Sequence, residues 1–360
     1  MATGAHSAQA VIMRPSTGEV LAMANVRRQP DGTVANSADN AAVTALFEPG
    51  STQKVFTIAA AIEEGQVRPD TQIDVPSQLQ LYDRTFTDSH PHPEAMWSVT
   101  DILVNSSNIG TIEIARDLGR TKVDRYFRKF GFGTTTGLGF PAEENGIMKR
   151  PDQWSGVDIG TMPIGQGISV TALQLLAGYN VIANDGMYVA PKLVAGTDGG
   201  AGQVPSEPAR SRRVVSARTA AAMRAMMAKV VTDGTGKLAA VPGYVAAGKT
   251  GTARIAQGKS SKDGYLDEQG IYHYRSSFVG LIDGADLSLV VTLEDPKTSI
   301  FGGDVAAPVF SHLAAAALHR YEIPPPALVA SSTHAVPELS ASAKEAAQED
   351  VSSGTAAAAG

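Results

Sequence analysis

The pattern of hydrophobic and polar positions predicts strands near both ends of the chain and helices in its middle. The N-terminal stretch AQAVIMRPSTGEVLAMANV has two strand-like runs around a Pro-Ser-Thr-Gly turn, which predicts a β-hairpin. Strand patterns return at GYVAAGKTGTARIA and at YRSSFVGLIDGADLSLVVTLED, where two apolar runs flank Asp-Gly-Ala-Asp. A closing helix is predicted at AAPVFSHLAAAALHRY.

The first predicted helix of the middle region is STQKVFTIAAAIEEG, which begins after Gly50 and can end at Gly65. A polar segment with strand-like pieces follows it, and helical spacing then continues through four further stretches. They are SVTDILVNSSNIGTIEIARDLG, TKVDRYFRKFGFG, SVTALQLLAGYNVIANDG and SARTAAAMRAMMAKVVTDGTG. We therefore predict an α+β fold, in which one antiparallel sheet of N- and C-terminal strands is flanked by helices and carries an inserted, mostly helical lobe.

The composition argues against several classes of binding partner and of metal site. With 360 residues, of which 43% are hydrophobic, the chain can bury a sizeable core. Its net charge of -6 argues against nucleic acid or an anionic membrane as the main partner. The absence of cysteine excludes disulfides and thiolate metal sites. His90 and His92 are separated by a proline, and we expect no metal ion there.

The composition changes after the three prolines at 324–326. From there the chain is rich in Ala, Ser and Glu and ends in VSSGTAAAAG, so it can bury little apolar surface. We predict that residues 326–360 are a disordered tail, that residues 8–325 form the folded domain and that residues 1–7 are a short leader. The chain has no run of about 18 apolar residues and no export signal at its start, so we expect no membrane segment in it.

Ser51 and Lys54 are the first pair that suggests chemistry, because a spacing of three places both side chains on one helix face, about 5–6 Å apart at Cβ. A serine hydroxyl becomes a good nucleophile when a base takes its proton. A lysine can be that base if burial or a second cation lowers its pKa. The alternative interpretation is an N-cap serine followed by a surface lysine.

Ser106 and Asn108, in LVNSSNIG, form a second pair. At a loop or a helix junction, this spacing can direct a hydroxyl and an amide into one cleft. The hydroxyl can pass a proton, and the amide can orient a substrate carbonyl. The alternative is a polar turn between two helices.

The third group is Lys249, Thr250, Gly251 and Thr252, which lie within a strand pattern. Glycine weakens a strand, and it is often found where another group must approach the backbone closely. A lysine and two hydroxyls beside that glycine can bind a substrate carboxylate. The alternative is a polar edge strand.

In this order, Ser-x-x-Lys, Ser-x-Asn and Lys-Thr-Gly are typical of class A β-lactamases and penicillin-binding proteins. Over residues 8–325 the chain resembles the transpeptidase domain of a class B penicillin-binding protein of the division or elongation type. FEPGSTQK, SSNIGT, FGFGTTTGL, PIGQGISVTALQLLAGYNVIANDG and FGGDVAAPVF also resemble stretches of this family. One departure is Ala172, where the family usually has proline.

The resemblance implies the fold of the penicillin-binding proteins and serine β-lactamases, and a peptidoglycan D,D-transpeptidase reaction. Ser51 would attack the penultimate D-alanine carbonyl of a stem peptide that ends in D-Ala-D-Ala, and Lys54 would accept its proton. The backbone N–H groups of Ser51 and Thr252 would form the oxyanion hole. Ser106, with help from Lys249, would protonate the leaving D-alanine, and a neighbouring stem amine would then take the acyl group.

The remaining implied roles concern binding. Asn108 would hold the acyl amide, and Thr250 and Thr252, on either side of Gly251, would hold the substrate carboxylate. The resemblance further implies that β-lactams acylate the same serine and that the reaction needs no metal ion and no organic cofactor. It implies an extracytoplasmic location, because the substrate lies outside the cytoplasmic membrane, with anchoring through an N-terminal part that this chain lacks. A glycan polymerase and division or elongation proteins are the expected partners in that longer context.

Three rival functions share these motifs. A class A β-lactamase needs a deacylating glutamate, usually in Glu-x-x-Leu-Asn, which this sequence does not contain. Class D β-lactamases are shorter and usually have valine or isoleucine where Asn108 stands. A D-Ala-D-Ala carboxypeptidase differs only in its acceptor. A β-lactam-binding sensor that is acylated without turnover would also keep all three motifs, and a turnover assay would separate it from an enzyme.

Overall fold

The computed structural model describes residues 3–198, 203–205, 209–258 and 264–325. Its helices are α1 (Ala41–Thr44), α2 (Lys54–Glu63), α3 (Val99–Val104), α4 (Asn108–Leu118), α5 (Arg120–Phe130), α6 (Asp158–Thr161), α7 (Ala172–Ala183), α8 (Ala217–Thr232), α9 (Gly302–Val305) and α10 (Ala307–Arg320). Its strands are β1 (Ser7–Met13), β2 (Val20–Arg28), β3 (Val34–Asn36), β4 (Gln72–Val75), β5 (Leu79–Leu81), β6 (Arg84–Phe86), β7 (Ala95–Ser98), β8 (Met187–Val189), β9 (Gly196–Asp198), β10 (Gln203–Pro205), β11 (Ser211–Arg213), β12 (Ala246–Arg254), β13 (Tyr274–Ile282) and β14 (Leu287–Glu294). Short 3₁₀ helices occupy Gly50–Gln53, Pro151–Gln153, Met162–Ile164 and Lys237–Ala239.

One six-stranded sheet joins the two ends of the chain, in the order β12-β13-β14-β1-β2-β3. All of its neighbouring strands are antiparallel, and β1 pairs with β14 so that Val11 lies opposite Val290. The predicted N-terminal hairpin is therefore present, and it is completed by strands from the far end of the sequence. The predicted α+β fold class is confirmed.

The sheet is covered on both faces, and the side chains of its strands alternate between two cores. Val279 of β13 belongs to the core under α2, α7 and α8, whereas its neighbour Phe278 faces the second core. There the Phe278 ring contacts Phe310 of α10 at 4.7 Å between centroids. Successive strand residues point to opposite faces, so apolar runs such as SFVGLI and LSLVVTL contribute side chains to both cores.

Helix α2 lies at the centre of the larger core. Eight of its ten residues are buried, as are eleven of the twelve residues of α7, so both helices are covered almost all round. The ring of Phe56 on α2 contacts Phe130, Phe132 and Tyr179 at centroid distances of 4.8, 4.8 and 5.2 Å. These aromatic contacts fix the position of the residues at the start of α2.

The long helical stretch predicted after Trp97 is divided into α3 and α4. Ser106 interrupts it because its backbone has a φ of +59°, in the left-handed region that helices of L-residues avoid. Ser107 then starts α4 by accepting a hydrogen bond from the Gly110 N–H. The polar Ser-Ser-Asn stretch is thus a helix junction.

Residues Met1–Ile323 form one compact unit. The second unit is Pro324–Gly360, of which only Pro324 and Pro325 are described, so the predicted tail at 326–360 lies outside the described residues. The predicted leader and the limits of the domain stay predictions. Within the described ranges, no helix is both long and apolar enough to cross a membrane.

Candidate active site

Ser51 lies in the 3₁₀ turn Gly50–Gln53 that leads into α2. Gly50 has a φ of +56°, and a Cβ atom there would come within 3.1 Å of the Thr252 carbonyl oxygen on β12. Glycine therefore permits both the turn and its close approach to the edge of the sheet. As a result Ser51 borders a cleft, whereas Lys54, the first residue of α2, is fully buried behind it.

The Lys54 amine lies against the junction of α3 and α4. Its Nζ donates to the carbonyl oxygen of Ser106 at 2.5 Å and lies 3.3 Å from the Ser106 Oγ. Burial lowers the pKa of Lys54 to about 7, although the negative charge of Asp88 acts in the opposite direction. A substantial fraction of this amine is therefore unprotonated at neutral pH, as a general base requires.

The junction itself is held from the other side by the segment after β6. The Asn108 side-chain amide donates to the Thr87 carbonyl oxygen at 2.8 Å. Asp88 Oδ1 accepts from the backbone N–H groups of Asn108 and Ile109, the latter at 3.0 Å. These contacts stabilise the left-handed turn at Ser106 and direct Ser106 and Asn108 towards the cleft.

The third motif lies on β12, at one edge of the large sheet. A Cβ atom on Gly251 would come within 2.3 Å of Ser277 Oγ and 3.0 Å of the Pro49 carbonyl oxygen, so only glycine lets the strand lie against the Ser51 turn. Because β12 is an edge strand of the described sheet, one row of its backbone N–H and C=O groups has no strand partner among the described residues.

Lys249 is as fully buried as Lys54. Its Nζ lies 3.3 Å from Thr250 Oγ1 and 3.4 Å from the Thr250 carbonyl oxygen. Burial, reinforced by the like charge of Lys54, places the pKa of Lys249 well below its ordinary value. Burial alone lowers the pKa of Lys54, whereas at Lys249 a second cation adds to the effect of burial.

The three motifs meet at one cleft of about 680 Å³. Of the eight predicted site residues, the cleft is lined by Ser51, Ser106, Asn108, Thr250 and Thr252. Lys54, Lys249 and Gly251 are buried. The roles of all eight, including the oxyanion hole at Ser51 and Thr252, stay predictions. Within the described residues, no group of three or more His, Asp or Glu side chains is placed to hold a metal ion.

Sequence reasoning missed three residues that shape this cleft. The first is Asp88, which accepts the backbone N–H groups of Asn108 and Ile109. Thr235 Oγ1 lies 2.7 Å from Thr250 Oγ1, and Glu48 accepts hydrogen bonds from the Gly167 N–H at 2.7 Å and from the Tyr265 hydroxyl at 2.9 Å. Burial raises the pKa of Glu48 despite these bonds.

Signals were available for two of them. Glu48 lies within FEPGSTQK, one of the stretches that resemble the family, and Thr235 stands between two glycines. A Cβ atom on Gly234 would come within 2.5 Å of the Val104 carbonyl oxygen, which marks a close approach of two elements. Asp88 belongs to no local pattern that distinguishes it from other polar residues.

The chain is similar to known proteins over most of its length. A family model described as the penicillin binding protein transpeptidase domain matches residues 8–315. Penicillin-binding protein PbpB of Mycolicibacterium smegmatis is 37% identical over 340 residues, which are 90% of this chain and 52% of that protein. Peptidoglycan D,D-transpeptidase FtsI of Escherichia coli is 32% identical over 331 residues, 90% of this chain and 53% of that protein. The chain thus spans about half the length of the curated relatives it matches.

Solved structures agree with the sequence comparisons. Penicillin binding protein 3 of Mycobacterium tuberculosis, complexed with aztreonam, superimposes with a TM-score of 0.80 at 34% identity, over 90% of this chain and 75% of that one. The same protein complexed with ampicillin gives a TM-score of 0.79 at 35% identity, over 89% and 74% of the two chains.

Proposed function

The chain belongs to the penicillin-binding protein transpeptidase family, and we propose that it is a peptidoglycan D,D-transpeptidase that works through a serine acyl-enzyme. The observation that carries this proposal is the position of Lys54. It is a fully buried amine with a pKa of about 7, located three residues from Ser51 and in contact with Ser106.

In the proposed first half-reaction, Ser51 Oγ attacks the carbonyl carbon of the penultimate D-alanine and its proton passes to the Lys54 amine. The new C–O bond gives a tetrahedral intermediate, whose oxyanion is held by the backbone N–H groups of Ser51 and Thr252. The C–N bond to the terminal D-alanine then breaks. The leaving amine receives a proton through Ser106, which lies between the Lys54 amine and the cleft, and Lys249 assists.

In the proposed second half-reaction, the amine of a neighbouring stem peptide attacks the ester carbonyl. The C–N bond forms, the C–O bond breaks, and the proton lost by the attacking amine returns to the Ser51 oxygen. Asn108, fixed by its bond to Thr87, orients the acyl amide in both half-reactions, while Thr250 and Thr252 hold the carboxylate of the terminal D-alanine in the first. No metal or organic cofactor is required for these steps.

A β-lactam would enter the same first half-reaction. Ser51 attacks the lactam carbonyl, the ring C–N bond breaks and the ring nitrogen takes the proton, so that no leaving group departs and the ester persists. The complexes of penicillin binding protein 3 with aztreonam and ampicillin support this part of the proposal. Since stem peptides lie outside the cytoplasmic membrane, the proposed reaction takes place there, and a glycan polymerase and division or elongation proteins are the proposed partners.

Intact mass spectrometry after mixing with benzylpenicillin tests the proposal, because the acyl-enzyme gains the full mass of the drug. We expect one adduct on the wild type and none on Ser51→Ala. Ser89→Ala is the matched control, since Ser89 is exposed on the same cleft. An adduct of one penicillin on Ser51→Ala would show that another residue is the nucleophile. Turnover of a D-Ala-D-Ala stem peptide with a D-amino acid as acceptor then separates a transpeptidase from a carboxypeptidase and from a sensor without turnover.

A further inference from the structure

Asp88 lies behind the cleft, and it contacts both the Ser106–Asn108 turn and His92. Its Oδ1 accepts the backbone N–H groups of Asn108 and Ile109, and its Oδ2 lies 3.0 Å from His92 Nε2. The Asp88 side chain is only 6% exposed. It is also the carboxylate whose charge acts on the buried Lys54 amine. The turn that holds Ser106 and the proposed base are therefore connected through one side chain.

The surroundings of His92 favour its charged form. Nε2 faces the Asp88 carboxylate, and Nδ1 lies 2.7 Å from the Pro93 carbonyl oxygen, so both ring nitrogens face hydrogen-bond acceptors. A neutral imidazole has a single N–H and can satisfy one of them, whereas the imidazolium donates to both. The hydrogen bond to Pro93, and then the one to Asp88, raise the pKa of His92. The ring also packs on Trp97 at 4.6 Å between centroids.

The charged groups around Asp88 and His92 affect one another's protonation. Asp88, from the segment after β6, is the charged group that acts on both Lys54 and His92. Lys54 in turn acts on Lys249 of β12, so the imidazole, the carboxylate and the two buried amines influence one another in that order. The charge of Asp88 favours the protonated form of Lys54, and a charged His92 opposes that effect.

We propose that Asp88, with His92 as its counter-ion, is a positioning residue of the acyl-transfer site that holds the Ser106–Asn108 turn and controls the charge of Lys54. This inference rests on the proposed function, since it assigns the base of the first half-reaction to Lys54. A charged His92 keeps the base unprotonated and active. Loss of the His92 charge leaves Asp88 unopposed, so that Lys54 holds its proton more firmly.

The sign of each effect follows from which charge is removed. Asp88→Asn keeps a carbonyl oxygen for the two backbone N–H groups but removes the anion, so the pKa of Lys54 falls. In a plot of acylation rate against pH, the acidic limb therefore moves to lower pH. His92→Gln keeps a hydrogen-bond donor towards Asp88 but removes the cation, so the same limb moves to higher pH. We expect each displacement to be on the order of one pH unit.

The test is the second-order rate of penicillin acylation between pH 5 and 9 for the wild type, Asp88→Asn, His92→Gln and the double variant. We expect opposite displacements in the two single variants and no effect of His92→Gln in the Asp88→Asn background, because His92 acts through Asp88. His90→Gln, at an exposed histidine two residues away, should leave the limb in place. A purely structural role would lower the rates without moving the limb, and that result would overturn the inference.

A second measurement does not depend on catalysis. The His92 ring is titrated by NMR, and its pKa should fall in Asp88→Asn and stay unchanged in the Ser51→Ala variant. An unchanged His92 pKa in Asp88→Asn would overturn the pairing. If the wild type is not acylated at all, the proposed function fails with the inference. If it is acylated but both limbs stay in place, only the inference fails.

Discussion

The start of α2 and the middle of β12 each bury a lysine completely, yet the two lysines have different neighbours. Lys54 has a carboxylate, Asp88, acting on it and donates a hydrogen bond of 2.5 Å to Ser106. Lys249 has only the hydroxyl and carbonyl of Thr250 within hydrogen-bond distance among its described contacts, and the nearby charge is the like charge of Lys54. Equal burial therefore does not mean equal chemistry.

This difference indicates that Lys54 and Lys249 have different roles in the proposed reaction. On the α2 side the protein supplies its own anion, so Lys54 can change its charge near neutral pH. On the β12 side no carboxylate of the described residues acts on Lys249, and a substrate carboxylate held by Thr250 and Thr252 would supply the anion. Lys249 would then gain its positive charge only when substrate binds, because an opposite charge nearby favours the charged form.

Removing each amine in turn gives the largest expected effect. We predict that Lys54→Met, which keeps most of the buried volume, loses about 10²–10⁴-fold in the rate of penicillin acylation, the usual contribution of a general base. Lys249→Met should lose less, because it removes a binding group and leaves the base in place. The second-order rates are measured by mass spectrometry, with melting curves to show that both variants are folded. Equal losses would remove the distinction between the two lysines.

The second-largest expected effect comes from removing the negative charge of the ligand's carboxylate. We predict that the wild type reacts about 10- to 100-fold faster with benzylpenicillin than with its methyl ester, as expected for a hydrogen bond to a charged group of about 1.5–3 kcal/mol. In Lys249→Met this ratio should shrink towards one, whereas in Lys54→Met it should persist. The ratio of the two acylation rates in each variant is the measurement. A ratio that survives in Lys249→Met would show that Thr250 and Thr252 bind the carboxylate without the charge of Lys249.

The smallest effect concerns stability. A buried lysine with a lowered pKa binds its proton less tightly in the folded state than in the unfolded state. Folding is therefore disfavoured at neutral pH and becomes more favourable as pH rises towards the ordinary lysine value. We predict that Lys249→Met melts a few degrees higher than the wild type at pH 7, and that the gap narrows towards pH 10.

The control for this prediction is Lys237→Met, at an exposed lysine of the described chain, which should leave the melting temperature nearly unchanged. Calorimetric scans of the three proteins at pH 7 and pH 10 are sufficient. A lower melting temperature for Lys249→Met at pH 7 would mean that its contacts with Thr250 stabilise the fold more than its burial disfavours it.

The sequence predicted the fold class because its apolar runs have the spacing of buried strands and helices, and that spacing is a local property. The motifs could be found for the same reason, since Ser51 and Lys54 are one helical turn apart. The break at Ser106 was harder to locate, because the residues around it have the spacing of one continuous helix and only its backbone angle divides them. The chemistry at that break depends on this local geometry.

Asp88 could not be found in this way, because its importance comes from a contact across 20 residues of chain to the N-terminus of α4. Glu48 is a similar case, since the hydroxyl that it binds lies 217 residues away in Tyr265. Burial of the two lysines was likewise beyond sequence patterns, because both residue positions could equally belong to a polar surface. Contacts between distant segments decide which polar residues of a cleft are chemically active.

The packing of α2 also has a consequence for motion. Its residues are buried on nearly every side, and Phe56 is enclosed by three other rings, so the amide hydrogens of this helix exchange with solvent only when much of the domain opens. Among the described residues, strand β12 pairs with another strand on one side only. The proposed nucleophile and its proposed base are therefore attached to a slowly exchanging part of the molecule, and we expect the movements that admit a second, bulky peptide on the side of β12.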